Sequence, residues 1–327
     1  MRLMSLSLAF VLALSGALPA QEGEKVTLEW KFKKGESLRY EMSMNMEMDI
    51  GGMEIAQEMH FRWLWETTDV AADGTGTLKC TYERIRSKME GGPMSSDYDS
   101  DKEKKAEDSD IMGRIFSAFV GKSMTMHMSK GGQCLKFEGM EKLMEDALKE
   151  LPEEMQGMAG MMKSNFSDDY SKSMMQMHFG FLPKAPVGKG EVWNDTASLS
   201  LGMLGKMDMK TKSTLKEIRA GKDSKEAVVG QETKYEFKAD EGGAGPMGAM
   251  EITDSKQKNE VVWLIDKGCA QSTKGTTTMD VNMGGQEMTM VWKMEMKLIT
   301  GLTPVVTPGG GAKEPPKEPP KEPPKDK

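Results

Sequence analysis

Three histidines, His60, His127 and His178, are all that the 327-residue chain offers for imidazole acid–base work or metal ligation. None belongs to an H-E-x-x-H pair, and no G-x-S-x-G elbow, P-loop or dinucleotide fingerprint accompanies them. His60 and His127 fall on the polar parity of strand-like segments, and His178 closes a helical one. Carboxylates are abundant, but they lie on strand faces and in an acidic, Ser-rich stretch from Gly91 to Asp110 that reads as a mobile loop. Gly74-Thr75-Gly76 is a hairpin turn by context. With no nucleophile–base or metal-water motif, the expectation is a non-enzyme with no cofactor and no catalytic residue. A carboxylate pair assembled by folding stays open at this level.

Sulfur is the more unusual resource. There are 34 Met against 10 Phe. Thioethers are soft ligands suited to Cu(I), so rows of Met spaced by two are candidate copper ligands. The same rows interleave with Trp, Phe and Ile, and His and Cys, the usual companions of copper, are scarce. Weight therefore falls on Met as adaptable core filler, with reversible oxidation of exposed Met as a third use. Cys80, Cys134 and Cys269 allow one disulfide and one free thiol in an oxidising compartment, with the pairing left open, and no C-x-x-C pair exists. Each sits in strand-like text, where a lone Cys is usually a small buried hydrophobe.

Strands must carry these rows. From Tyr40 to Ile50, Tyr40, Met42, Met44, Met46, Met48 and Ile50 share one parity and polar residues hold the other. Gly51-Gly52 is a two-residue turn, and Met53, Ile55, Met59, Phe61, Trp63 and Trp65 return. The turn fixes the register: Ile50 opposite Met53, Met48 opposite Ile55, Met44 opposite Met59, Met42 opposite Phe61 and Tyr40 opposite Trp63. Glu41 meets Arg62 on the other face, and Gln57 opposite Met46 is the one polar intruder. The device recurs late, with Thr277, Met279, Val281 and Met283, then Gly284-Gly285, then Met288, Met290, Trp292, Met294 and Met296. Met279 should face Met290, and Thr277 should face Trp292. The predicted lining of an apolar cavity is Met42, Met44, Met46, Met59, Phe61, Trp63, Met279, Met290 and Trp292.

Further strands are expected at Val26–Phe32, Thr75–Met89, Met124–Met128, Cys134–Phe137, Val192–Met203, Met207–Ile218, Ala227–Phe237, Met250–Lys256 and Val261–Ile265, about a dozen in all. Helical spacing marks Ser109–Phe119, Met140–Leu151 before Pro152, Met155–Met162, and Phe166–Met177 with Asn165 as N-cap and Asp168 in the first turn. A weak echo links the halves: Gly35-Glu36 and Gly190-Glu191 each lead to two linked hairpins, a polar loop and a strand turning at Lys130-Gly131 or Lys267-Gly268. This reads as an internal duplication.

The ends are plain. Arg2, the apolar run Leu3 to Leu14 and the small-residue site Leu18-Pro19-Ala20 form the pattern of a cleavable signal peptide, so export to a periplasmic or extracellular location is expected. No later segment is apolar enough to span a bilayer as a helix, so no transmembrane segment is expected after cleavage. Three Lys-Glu-Pro-Pro repeats end the chain as an extended, solvated, disordered tail, a spacer or a ligand for an envelope partner. A formal net charge of −7 argues against nucleic acid. The organisation is then 1–20 signal peptide, 21–138 first β-rich half, 139–180 helical segment, 181–305 second β-rich half and 306–327 Pro-rich tail.

The start Phe32-Lys33-Lys34-Gly35-Glu36, the Met-alternating hairpins and Val120-Gly121-Lys122-Ser123-Met124 before a Lys-Gly-Gly turn form a recognisable set. So do Leu182-Pro183 with Gly188 to Trp193, and the final Met-rich hairpin. On these residues the chain resembles an uncharacterised family of exported bacterial proteins, domain of unknown function 6263, over most of its length except the tail. The resemblance implies a common fold and brings no assigned reaction or catalytic residues. The expected fold is α+β and mainly antiparallel: a large curved sheet or half-barrel with helices packed on one face. The expected function is a non-catalytic extracytoplasmic protein binding an apolar or lipid-like ligand. The alternatives are a structural or interaction protein of the cell envelope and Met-based copper binding.

Overall fold

Strict alternation over 14 residues buries one side of a strand and wets the other, and such runs account for most of the chain. A computed structural model describes residues 24–91, 95–102, 110–149, 167–200, 205–238, 250–283 and 285–299. The expected signal peptide, Pro-rich tail and Met155–Met162 helix lie outside them. The first half holds β1 (Lys25–Val26), β2 (Ser37–Ile50), β3 (Met53–Val70), β4 (Gly76–Glu90), β5 (Ser96–Asp99), β6 (Ser123–Met128) and β7 (Cys134–Glu138). The second holds β8 (Val187–Gly188), β9 (Val192–Ser200), β10 (Lys206–Ala220), β11 (Lys225–Lys238), β12 (Met250–Leu264), β13 (Cys269–Met283) and β14 (Gln286–Ile299). Three helices are described: α1 (Ile111–Phe119), α2 (Met140–Lys149) and α3 (Asp168–Phe179).

All pairings are antiparallel. One sheet runs β7-β6-β4-β3-β2-β14-β13-β12-β11-β10-β9, with β5 added to β4, and β1 pairs with β8 apart from it. The register predicted for both Met hairpins is the register found, including Met44 with Met59, Glu41 with Arg62 and Met279 with Met290. Gly51 and Gly52 hold φ of 59° and 89°, the positive pair that a tight hairpin turn needs.

The sheet curls without closing. Residues of β4, β6 and β7 share a core with residues of β10, β11 and β12. Helix α3 packs against both edge strands, β7 and β9. Gln176 Oε1 on α3 accepts the Cys134 N–H of β7 at 3.0 Å, so a side chain covers part of the exposed edge. At the centre Trp30 meets Trp263, Phe179 and Trp65 with ring centroids 5.0, 5.7 and 6.1 Å away. This is the expected half-barrel with helices against its inner face.

The halves repeat one another. In sheet order, β7-β6-β4-β3-β2 matches β13-β12-β11-β10-β9, with β14 between the two sets. The Gly35 N–H donates to Thr67 O and the Thr67 N–H to Glu36 O; the Gly190 N–H donates to Leu215 O and the Leu215 N–H to Glu191 O. A register shift follows each acceptor, at Thr67/Asp69 and Leu215/Glu217. The sequence echo is thus a structural one.

Five expectations need correction. Val26 to Phe32 alternates, and Val26, Leu28 and Trp30 are buried with Phe32 packed against them, yet only Lys25–Val26 is strand. The Trp30 and Lys31 N–H groups donate instead to Lys130 O and Gly268 O, the two corresponding turns, so this segment ties the repeats together outside any ladder. Met250–Lys256 and Val261–Ile265 form one strand, β12, because the polar residues between them are sheet residues. The Gly91–Asp110 stretch contains β5, held when Ser96 Oγ donates to Asp110, which also caps α1. The α3 cap is Ser167 rather than Asn165, and Asp168 accepts the N–H groups of Met140 and Glu141 at the start of α2. No disulfide forms either: Cys80, Cys134 and Cys269 are all free and buried.

Candidate functional site

Strands β2 and β14 pair with each other, so the two Met hairpins fuse into one surface. Its rows cross four strands: Met279, Met290, Met48 and Ile55; Thr277, Trp292, Met46 and Gln57; Gly275, Met294, Met44 and Met59; Thr273, Met296, Met42 and Phe61. Sequence reading found each hairpin and missed their union. The signal was there in the shared parity, but nothing local specifies which strands become neighbours.

Burial divides this surface. Met42, Met59, Phe61 and Trp63 pack on the main core, with Phe61 against Phe116 of α1. Met279, Met290 and Trp292 join a second cluster with Leu199, Met209 and Tyr235, covered by Tyr170, Met174 and Met177 from α3. Met44 and Met46, with Met48 and Met294, belong to neither cluster and are half-buried. The nine predicted residues therefore share one face, seven in two apolar clusters and two between them.

Sequence reading also missed what faces the gap. Two of the same rows continue onto the neighbouring strands as polar residues. Thr277 leads to Gln257, Thr233, Thr211 and Asp195, and Gly275 leads to Asn259, Gln231, Ser213 and Trp193. Thr211 and Thr233 hydroxyls bond at 2.9 Å, and Tyr235 Oη donates to Gln257 Oε1 at 2.8 Å. Burial raises the Asp195 carboxyl above its usual range and pushes Tyr235 up to about 12. Ser213 Oγ and Asn259 Oδ1 are buried without a hydrogen-bond partner among the described residues, and Ser213 is only 1% exposed. Such orphan atoms are uncommon in a folded interior, because each forfeits its hydration. The inner face is thus amphipathic: Met on β2, β3, β13 and β14, and a polar belt on β9 to β12.

The histidines do not converge. His60 lies on β3 between Ser43 and Arg86, His127 on β6 beside Thr77 and Glu138, and His178 on α3. Burial pushes the Cys134 and Cys269 thiols up to about 11 and Cys80 higher still, so all three stay protonated and unreactive near neutral pH. Among the described residues, no three His, Cys, Asp or Glu side chains are grouped to hold a metal ion.

A family model matches residues 73–261, more than half of the chain; its description is Family of unknown function (DUF6263). The chain belongs to this family. No curated protein matches it. Solved structures with some likeness include the β-domain of the Bordetella autotransporter BrkA (TM-score 0.27, 6% identity, 80% of this chain and 98% of that chain). Others are an outer membrane channel from Pseudomonas putida F1 (0.24, 7%, 86% and 99%) and DynF of the dynemicin pathway of Micromonospora chersina (0.20, 7%, 87% and 88%). Among the described residues no helix is long and apolar enough to cross a membrane.

Proposed function

We propose that the chain is a non-catalytic, exported binding protein of the cell envelope that takes an apolar or lipid-like molecule on its inner face. The observation that carries this reading is the gap between the two clusters. Met44, Met46, Met48 and Met294 stand half-buried on the concave side of a curled sheet and belong to neither cluster. Met is unbranched and polarizable, so such a surface repacks around irregular apolar shapes at little cost. Ligand sites typically combine apolar walls with a few placed polar groups, and the belt with Ser213 and Asn259 supplies these beside the Met rows. An aliphatic chain would lie along Met44 to Met48, with a hydrogen-bonding end toward the belt. Export rests on the signal-peptide pattern of residues 1–20.

Titration of the purified protein with a pyrene-labelled fatty acid tests the reading. Saturable one-to-one binding is expected, and Met46→Lys and Met48→Lys should weaken it by at least about tenfold, because each puts a charge in the apolar path. Lys256→Met, on the outward face, should leave it unchanged. Absence of saturable binding, or equal binding by all variants, would overturn the proposal.

A further inference from the structure

The opposite, outward face of the same strands carries a cleft of about 300 Å3. It crosses β14, β2, β3 and β4, and its lining includes Glu41, His60, Arg62, Arg84, Arg86 and Lys297. Ladder pairing brings these together: Glu41 lies opposite both Lys297 and Arg62, Arg62 opposite Arg84, and His60 opposite Arg86. Four permanent cations and two carboxylates, Glu41 and Glu295, line the cleft, and Asp99 and Asp101 pair with Arg84 from beside it.

Three of the four cations are engaged. Arg62 donates to Glu41 at 3.0 Å, Arg84 pairs with Asp101 at 2.8 Å and with Asp99 at 3.3 Å, and Lys297 pairs with Glu295 at 2.9 Å. Arg86 is different. Among the described residues no hydrogen bond or ion pair reaches its guanidinium, and its Nε is buried without an acceptor. A guanidinium donor taken out of water and left unpaired is costly, so an acceptor brought from outside would be held tightly. No neighbouring carboxylate among the described residues reaches it: Asp99, opposite Arg86 in the β4–β5 ladder, pairs with Arg84 instead.

We propose that this cleft binds a phosphate-type oxyanion, with Arg86 as its anchor and Arg62, Arg84 and His60 around it. The planar guanidinium fork matches two phosphate oxygens, and several donors converging from adjacent strands suit a tetrahedral anion. The site lies on the other side of the sheet from the Met face, so it stands or falls independently of the apolar-ligand reading.

The test follows the Arg86 Nε–H resonance of the full exported chain during titration with inorganic phosphate, against sodium chloride at equal ionic strength. In parallel, the protein is sedimented with vesicles of phosphatidylglycerol or of phosphatidylcholine. A saturable Arg86 shift with phosphate alone supports a soluble phosphate compound. Sedimentation with phosphatidylglycerol only, lost in Arg86→Gln, supports a lipid headgroup. In either case Arg86→Gln should weaken binding by about tenfold or more, Arg86→Lys should retain part of it, and Lys210→Gln, on β10 and outside the cleft, should not change it. An Arg86 resonance that responds to chloride and phosphate alike, with no preference for phosphatidylglycerol, overturns the proposal. So does unchanged binding in Arg86→Gln. The resonance reports on the wild-type protein, so the test holds even if a variant fails to fold.

Discussion

Met279 and Met44 point to the same side of the sheet and differ in what covers them. Met279 is 5% exposed in the cluster under α3, whereas Met44 is half-buried in the gap. Both should accept Leu for less than about 1.5 kcal/mol, since the swap nearly conserves volume. Met279→Asp should cost more than about 3 kcal/mol because it buries a charge with no partner, and Met44→Asp clearly less. Urea unfolding of the two Asp variants measures the difference; equal losses would mean that the gap is as well packed as the cluster. His178 gives a pH signature. Burial lowers its folded pKa below the ordinary 6.5, so the unfolded chain takes up the proton first as pH falls. Its contribution to stability is therefore complete above about pH 6.5 and is lost as pH drops through that value toward the folded pKa. Melting temperature should fall less steeply between pH 7.5 and 5 in His178→Gln than in the wild type, and identical slopes would refute the assignment.

At the scale of elements, what the sequence made legible follows from how local each cause is. Two Gly-Gly turns set their hairpin registers, because a two-residue loop leaves no freedom and alternation tests the result on both faces. Val26 to Phe32 alternates just as well and is no strand, because its backbone partners are two turns, one reached at Lys130 and the other at Gly268. Strand β12 reads as two segments in the sequence because inward-facing Ser255, Gln257 and Asn259 look like loop residues until the polar belt explains them. The docking of α3 was likewise out of reach of sequence, and one glycine exposes how close it is. A Cβ on Gly132 would lie 2.0 Å from Phe179 O at the end of α3, at a φ of 82°. Gly132→Ala should therefore cost more than about 2 kcal/mol, through both the clash and the left-handed backbone. Gly131→Ala, whose Cβ meets only Ser129 Oγ at 3.7 Å, should cost little. Comparison of their denaturation midpoints checks the docking of the helix against the turn.

Across the whole molecule, two matching five-strand units, β14 between them and β5 beside β4 build a twelve-stranded sheet too large for a single continuous core. Its interior therefore separates into two apolar clusters with an amphipathic gap. The predicted site was half legible. The Met face followed from parity, while the polar belt of the second half joins it only because β14 pairs with β2, which sets Met294 beside Met44 from opposite ends of the sequence. The same long-range pairing assembles the arginine-lined cleft on the outward face. Copper binding by the Met rows competes with the apolar-ligand reading for the same side chains. Native mass spectrometry of the protein purified from its own envelope decides most directly. The proposal predicts a retained apolar molecule, one per chain, that is released on unfolding and missing from the Met46→Lys variant. A spectrum showing only the bare chain, or the chain carrying copper ions in place of an organic ligand, would contradict it.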